Sequence, residues 1–249
     1  LFRHECILAF PPSGGRVLYN RKNKTMTTIA LIGAGGKMGF RLSANLAKSS
    51  LTVRHVEVSE DGRERLSDEL GVQCVEAEEA IDNADVVILA VPDTLIGKIS
   101  HSLEPSLKSG TMVIVLDAAA PFAGHLPDRD DLTYFVTHPC HPPIFNDETD
   151  LEAKRDYFGG SRAKQGVVNS LMQGPEDAYE LGEEISKVIY APVSECSRVS
   201  VDQMALLEPG LSETVCATLL ATMREAMDEV VSRGVPKEAA RAFLLGHMN

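Results

Sequence analysis

From Thr28 onward the chain alternates short β-branched apolar runs with amphipathic stretches, the pattern of βαβ units feeding a parallel sheet. Residues 28–32 predict the first strand, and 36–49 a helix that turns Phe40, Leu42 and Leu46 inward. A second strand is expected over 51–58, then a short helix over 63–70 closed by Gly71. The run 86–91 is wholly apolar, as a parallel strand covered on both faces should be, and Pro92 ends it. A helix over 95–107, a turn at Lys108-Ser109-Gly110 and strands over 111–116, 132–136 and 167–172 complete the predicted sheet. Pro175 suits the first position of a helix over 175–188.

Past Pro192 the pattern reads as helix after helix. Along 212–233, Val215, Leu219, Met223, Met227 and Val230 form one stripe, with Gly234 as the stop and Pro236 opening the next helix. Those methionines read as core filler. Residues 146–165 are polar and charged and contain Gly159-Gly160, so they predict a surface loop, either a mobile connection or a lid.

A length of 249 residues allows one large domain or two modest ones. With 44% apolar residues and no apolar run near the ~20 residues of a membrane span, a soluble protein without a membrane partner is expected. A net charge of −12 argues against a nucleic-acid or acidic-membrane partner. The five cysteines are scattered, without a C-x-x-C pair, which points away from a disulfide framework and toward a reducing, cytoplasmic setting. Residues 1–25 carry Arg3, Arg16, Arg21, Lys22 and Lys24 against Glu5 alone. They are expected to be upstream sequence or a loose tail before a natural start at Met26, a transit peptide being the alternative. The apolar helical pattern of 239–245 stops at Asn249 without a closing element, as in a truncated helical domain.

Between the first strand and the first helix lies Gly33-Ala34-Gly35-Gly36-Lys37-Met38-Gly39. Glycines there serve a tight turn, close approach to a pyrophosphate and close helix packing, while the helix N-terminus stabilises phosphate charge. The G-x-G-x-x-G spacing is imperfect, because Met38 stands where the last glycine is due counting from Gly33; the turn is expected to be one residue longer. Glu57, 18 positions after Gly39, stands where an acid binds the ribose 2′-OH, and its charge would repel a 2′-phosphate, favouring NAD over NADP. Arg54 and Glu60 lie close enough to blur the end of that strand. Val91 and Pro92 follow the buried run, where backbone would face the cofactor's ribose and nicotinamide. The expected layout is α/β. It comprises an extension over 1–26, an NAD-binding doubly wound Rossmann domain over 27–192, and an all-α substrate and dimerisation domain over 193–249.

His138 and His141 sit on a Pro-rich loop after a strand, at the sheet edge where open α/β folds bind ligands. They are candidates for a divalent metal or for proton transfer, against a plain loop with two exposed histidines. Glu208, followed by Pro209-Gly210, reads as a carboxylate at a helix C-terminus, the unfavourable end of the dipole. A bound cation or exposure to solvent would compensate it. Glu213 and the helix start at Glu176-Asp177 are weaker candidates, the latter explained by capping.

Taken together, residues 32–39, 86–93, 117–121, 138–145 and 204–213 resemble the 6-phosphogluconate-dehydrogenase-like superfamily, and within it the D-apionate oxidoisomerases of bacterial apiose breakdown. The resemblance runs from about Thr28 to Asn249, and members of that family continue further. It implies NAD-dependent oxidation of D-apionate, a small sugar acid, and rearrangement of its carbon skeleton to 3-oxo-isoapionate. By analogy with ketol-acid chemistry, hydride leaves C2 and the 2-oxo-3-hydroxy acid undergoes a carbon shift. Such a shift needs a polarised ketone beside a deprotonated hydroxyl, which a divalent ion chelating both oxygens supplies. On this reading His138 and Glu208 hold the metal and His141 is a further ligand or proton carrier. Zinc suits a His/Glu set better than magnesium. A homodimer is implied by analogy alone. The rivals are a hydroxyacid or prephenate-type dehydrogenase using His138 without metal, and a non-catalytic NAD sensor.

Overall fold

The computed structural model describes residues 27–248, so the expectations for residues 1–26 and for Asn249 lie outside the described residues. Seven strands form one sheet: β1 (Thr28–Ile32), β2 (Thr52–Val56), β3 (Val86–Leu89), β4 (Met112–Val115), β5 (Thr133–Pro139), β6 (Gln165–Gln173) and β7 (Val193–Arg198). Their order is β2-β1-β3-β4-β5-β6-β7, parallel from β2 through β5. β6 then runs antiparallel to β5, and β7 parallel to β6. This is the Rossmann-like sheet expected, with its order reversing between β1 and β3 and so opening a crevice at their carboxyl ends.

Both faces of the sheet are covered, which is why β3 and β4 are apolar throughout. On one face α1 (Lys37–Leu46), α2 (Glu60–Leu70) and, further along the chain, α6 (Ala178–Ile189) bury Leu42, Leu46, Leu66 and Ile185 against Ile88, Ile114 and Phe135. On the other, α3 (Ala77–Ile81), α4 (Asp93–Leu103), α5 (Ala119–Phe122) and α7 (Val201–Leu207) bury Ile81, Ile96, Ala120 and Met204 against Val87, Val113, Val115 and Val136. The split follows from strand alternation, which sends successive side chains to opposite layers.

The sheet does not stop at Pro192. Residues 193–198 form β7, an edge strand whose polar, half-exposed sequence carries little of the alternation that marks a covered strand. A purely helical region therefore begins only with α7. A second correction concerns Glu208, expected at a helix end. The helix instead continues: α7 passes into a π-helical segment, Glu208–Ala217, and then into α8 (Thr218–Ser232), followed by α9 (Lys237–Gly246). Pro209 has no N–H to donate, and its ring would meet the carbonyl one α-turn back; a locally wider winding accommodates it without ending the helix.

By length and composition alone, the 32-residue helix Val201–Ser232 is apolar enough to cross a membrane, although charged residues break its apolar runs. Its expected core stripe is not buried here: Val215, Leu219 and Val230 are exposed, and Met223 and Met227 are half-buried.

One buried group makes the fold pH-sensitive. His55 on β2 is buried with its Nε2 atom unpartnered among the described residues, and burial pushes its pKa down to about 4. The unfolded chain would therefore take up that proton first, near the ordinary value of about 6.5. The stability contributed by neutral His55 is full above about pH 6.5 and is lost as pH falls toward 4. Thermal melts should give a Tm that declines across this window, and His55→Leu should flatten that part of the decline.

Candidate active site at the sheet's carboxyl edge

The glycine loop occupies one side of the crevice. Gly33 has φ +82°, and a Cβ there would overlap the Ala90 carbonyl oxygen and crowd Val91. The turns after β1 and β3 can therefore close on each other only through a residue without a side chain. At Gly35 a Cβ would stand 2.8 Å from the Glu57 carboxylate and 2.8 Å from the Gly62 Cα. Gly39 packs on the Gly33 carbonyl, so the glycines in use are 33, 35 and 39, the longer spacing anticipated. Lys37, Met38 and Gly39 begin α1, where the first N–H groups of a helix have no intrahelical acceptor.

Glu57 lies at the crevice, just past β2. Its Oε2 accepts the Gly35 N–H at 2.7 Å and its Oε1 the Ser59 N–H at 2.8 Å, while Arg63 donates to its backbone carbonyl. The side chain thus shapes the glycine loop from within, and each carboxylate oxygen retains a further lone pair. Arg65 caps the outside of the same loop by donating to the Gly35 carbonyl.

Across the crevice, three side chains meet for a reason visible in the registers. β4 and β5 pair Val115 with Val136, both on the face that buries Met204. Continuing the alternation by two residues puts Asp117 and His138 on that same face. Glu208 lies four residues after Met204, hence on the same side of its helix. The result is a cluster in which one ligand-type atom from each of Asp117, His138 and Glu208 lies within 4.8 Å of the others. His138 Nε2 is 3.5 Å from Glu208 Oε2 and 3.9 Å from Asp117 Oδ2. Asp117 Oδ1 also accepts the Ala119 N–H at 2.6 Å.

The electrostatics reflect crowded negative charge. Burial first, then the hydrogen bond to Glu208, raises the Asp117 pKa to about 7. Burial, with the charge of Glu208 behind it, also raises Asp93. Glu208 keeps its charge, held low by hydrogen bonds to His138 and Asp117. Burial alone would strip the His138 proton, but the neighbouring carboxylates override it and the net shift is upward.

His141 stands beside this cluster, its ring edge-on to His138 with centroids 6.3 Å apart. It adopts φ 60°, which is uncommon for a non-glycine residue, and its Nδ1 lies 2.9 Å from the Phe158 carbonyl oxygen. The cluster thus unites His138 and Glu208 as anticipated and adds Asp117, while His141 is adjacent and outside it. The signal that could have found Asp117 is its position two residues past a buried strand, in register with His138.

Residues 28–121 match the family described as NADP oxidoreductase coenzyme F420-dependent, and residues 146–249 the C-terminal part of decarboxylating phosphogluconate dehydrogenase. The D-apionate oxidoisomerase of Cupriavidus necator is 72% identical over 221 residues, covering 89% of this chain and 80% of that protein. That of Rhizobium rhizogenes is 68% identical over 224 residues, covering 90% and 82%. This chain belongs to the D-apionate oxidoisomerase family. A crystal structure described as a semialdehyde dehydrogenase NAD-binding protein from Cupriavidus necator, in complex with calcium and NAD, has the same fold. Its TM-score is 0.89 at 71% identity, covering 90% of this chain and 82% of that one. The glycine loop and the Asp117–His138–Glu208 cluster are thus features of an oxidoisomerase-family chain.

The closeness of Gly33 to Ala90 can be tested in this family member directly. Gly33→Ala adds a side chain at positive φ, a strain of about 1–3 kcal/mol before the overlap with the carbonyl is counted. A thermal melt should record a Tm several degrees lower, whereas an unchanged Tm would mean the two turns are free to part.

Proposed function

We propose that this chain oxidises D-apionate with NAD and rearranges the product to 3-oxo-isoapionate. The single observation that carries the reading is the convergence of Asp117, His138 and Glu208 across the crevice from the glycine loop. The family relatives are named for this activity, and the Cupriavidus structure is described as holding NAD and calcium.

On this reading the cofactor's pyrophosphate rests on the loop from Gly33 through Ala34, Gly35, Gly36, Lys37 and Met38 to Gly39. Its adenosine ribose lies on Glu57, and Val91 and Pro92 flank the nicotinamide side. Glu57 already accepts two backbone N–H groups, so its charge is placed before a ligand arrives, and it disfavours a 2′-phosphate. NAD when bound supplies the hydride acceptor.

Asp117, His138 and Glu208 would hold a divalent ion. Two carboxylates and one imidazole, their ligand-type atoms all within 4.8 Å of one another, form a donor set suited to it. A bound ion would polarise the C2 ketone and favour the ionised form of the neighbouring hydroxyl. We keep zinc as the candidate, although the second carboxylate makes the set harder than His and Glu alone. His141 carries the proton. Its Nδ1 faces a carbonyl, which can only accept, so Nδ1 bears hydrogen and Nε2 keeps the lone pair for a substrate hydroxyl. The carbon shift from C3 to C2 is an isomerisation: the proton lost by one hydroxyl is regained by the other oxygen, and hydride transfer is the only redox step.

The domains would divide at the start of α7, with the apolar face of residues 201–248 covered by a second copy in a homodimer and not by lipid. Glu208 on that helix faces His138, a place a membrane-spanning segment would not give it. A cytoplasmic enzyme without nucleic-acid partners fits the same reading.

The deciding experiment is NADH formation from D-apionate, with the product skeleton read by carbon NMR. Activity should disappear with a chelator and return with a divalent ion, the order of zinc, calcium, manganese and magnesium identifying the metal. NADH without a migrated carbon would instead mark a simple hydroxyacid dehydrogenase. Loss of an outer-shell metal partner costs about 10–100-fold, so Glu208→Gln, which removes a ligand charge, should cost kcat at least about 100-fold. Because Asp117, with a pKa near 7, must ionise and His138, shifted upward by its carboxylate neighbours, must lose its proton to bind an ion, metal affinity should rise as pH increases through about 7.

A further inference from the structure

The segment after the two histidines is packed as a built device. Asp156, its side chain only 9% exposed, accepts backbone N–H groups from Gly159 at 3.0 Å, Arg162 at 2.8 Å, Ala163 at 3.1 Å and Ser161 at 3.3 Å. The chain is thereby wrapped round one carboxylate. Asn45 on α1 reaches the same turn, its Nδ2 lying 3.4 Å from the Gly160 carbonyl oxygen and 3.0 Å from that of Ile189.

At the centre of the wrap is Phe158. Lys37 Nζ lies 4.5 Å and Arg41 Cζ 4.0 Å from its ring centroid. These two cations are four residues apart on α1 and therefore on one face of it, in the first turns after the glycine loop. The ring also meets His141, with centroids 5.1 Å apart, and the Phe158 carbonyl accepts a hydrogen bond from His141 Nδ1 at 2.9 Å.

We infer that Phe158 is a positioning residue: gripped by Lys37 and Arg41, it holds its carbonyl on His141 so that the imidazole keeps its proton on Nδ1 and offers Nε2 to the reacting hydroxyl. The inference deepens the proposed function, since it assigns what prepares His141 for proton transfer. Which ring nitrogen carries hydrogen is set by the hydrogen bonds that the nitrogens make, and a carbonyl facing Nδ1 keeps the hydrogen there. Remove the acceptor, and either tautomer is available. His141 is also held at φ 60°, so the loop must pay backbone strain to keep the ring in place, which mere packing of Phe158 would not require.

The test is the tautomeric state of His141, read from nitrogen-15 imidazole shifts on the full chain, together with steady-state kinetics. Wild type should show hydrogen on Nδ1 and a pyridine-like Nε2. In Phe158→Ala and in Asp156→Ala that signature should blur, with kcat down about tenfold or more and KM for NAD within about threefold. Phe158→Tyr keeps the ring and should stay within about threefold of wild type in kcat. Hydrogen on Nε2 in the wild type overturns the inference, even if the alanine variants do not fold. Unchanged tautomer and kcat in Phe158→Ala overturn it as well. If the wild-type signature is present but D-apionate gives no NADH, the proposed function fails and the placement of His141 by Phe158 stands.

Discussion

Like charges forced together at the carboxyl ends of β3, β4 and β5 govern how this site is arranged. Asp117 and Glu208 converge on His138 there because two strand registers and one helix repeat point the same way, Asp93 at the start of α4 adds its charge, and solvent only partly screens them. Burial, reinforced by the like charges, makes Asp117 and Asp93 hold protons more tightly, while Glu208 keeps its charge and His138 is drawn toward its cationic form against the cost of burial. A site with this electrostatic demand favours any cation that can sit among the three ligand-type atoms. Lys37 and Arg41, the nearby basic side chains of α1, are engaged with Phe158 instead of with this cluster.

The geometry that delivers Glu208 depends on a proline where an α-helix tolerates one poorly. With Met204 buried on the sheet face and a capping box at Ser200 and Gln203, α7 has a defined start and a defined orientation. Its continuation as a π-helical segment keeps the chain running past Pro209, so the carboxylate lies mid-helix and not at a frayed end. Such wide turns inside helices recur at functional sites. Here the irregularity coincides with the residue that reaches across to His138.

On the opposite side of the crevice, tightness is achieved by leaving side chains out. Gly33 lets the turns after β1 and β3 touch, and Gly35 makes room for Glu57 to accept a loop amide. An acid at that place therefore has two consequences from one set of bonds: it orders the glycine loop, and it presents negative charge at the end of β2. The two halves of the crevice are joined by the wrapped segment round Asp156, which rests on α1 and touches His141.

Much of the scaffold was legible in the residues themselves. Periodicity located β1 through β6 and most of the helices to within a few residues, because those elements are covered and their apolar positions must alternate or repeat accordingly. The glycine loop with its longer spacing, Glu57, His138 and Glu208 were all visible as chemistry in the right order along the chain. The polar edge strand β7 was not, since four of its six residues are exposed and the two partly buried ones, Val193 and Cys196, stand three apart and show no two-residue alternation. Nor was the uninterrupted helix through Pro209, where local rules say stop and packing of Met204 says continue. The roles of Asp117 and Phe158 were not read for a deeper reason. Asp117 opens one of the runs that carry the family resemblance and Phe158 belongs to no motif, but each acquires its place from partners far along the chain, through a β4–β5 register in one case and a face of α1 in the other. Short-range propensity is written residue by residue, but proximity between distant residues exists only once the sheet has closed its registers and the helices have settled on its faces.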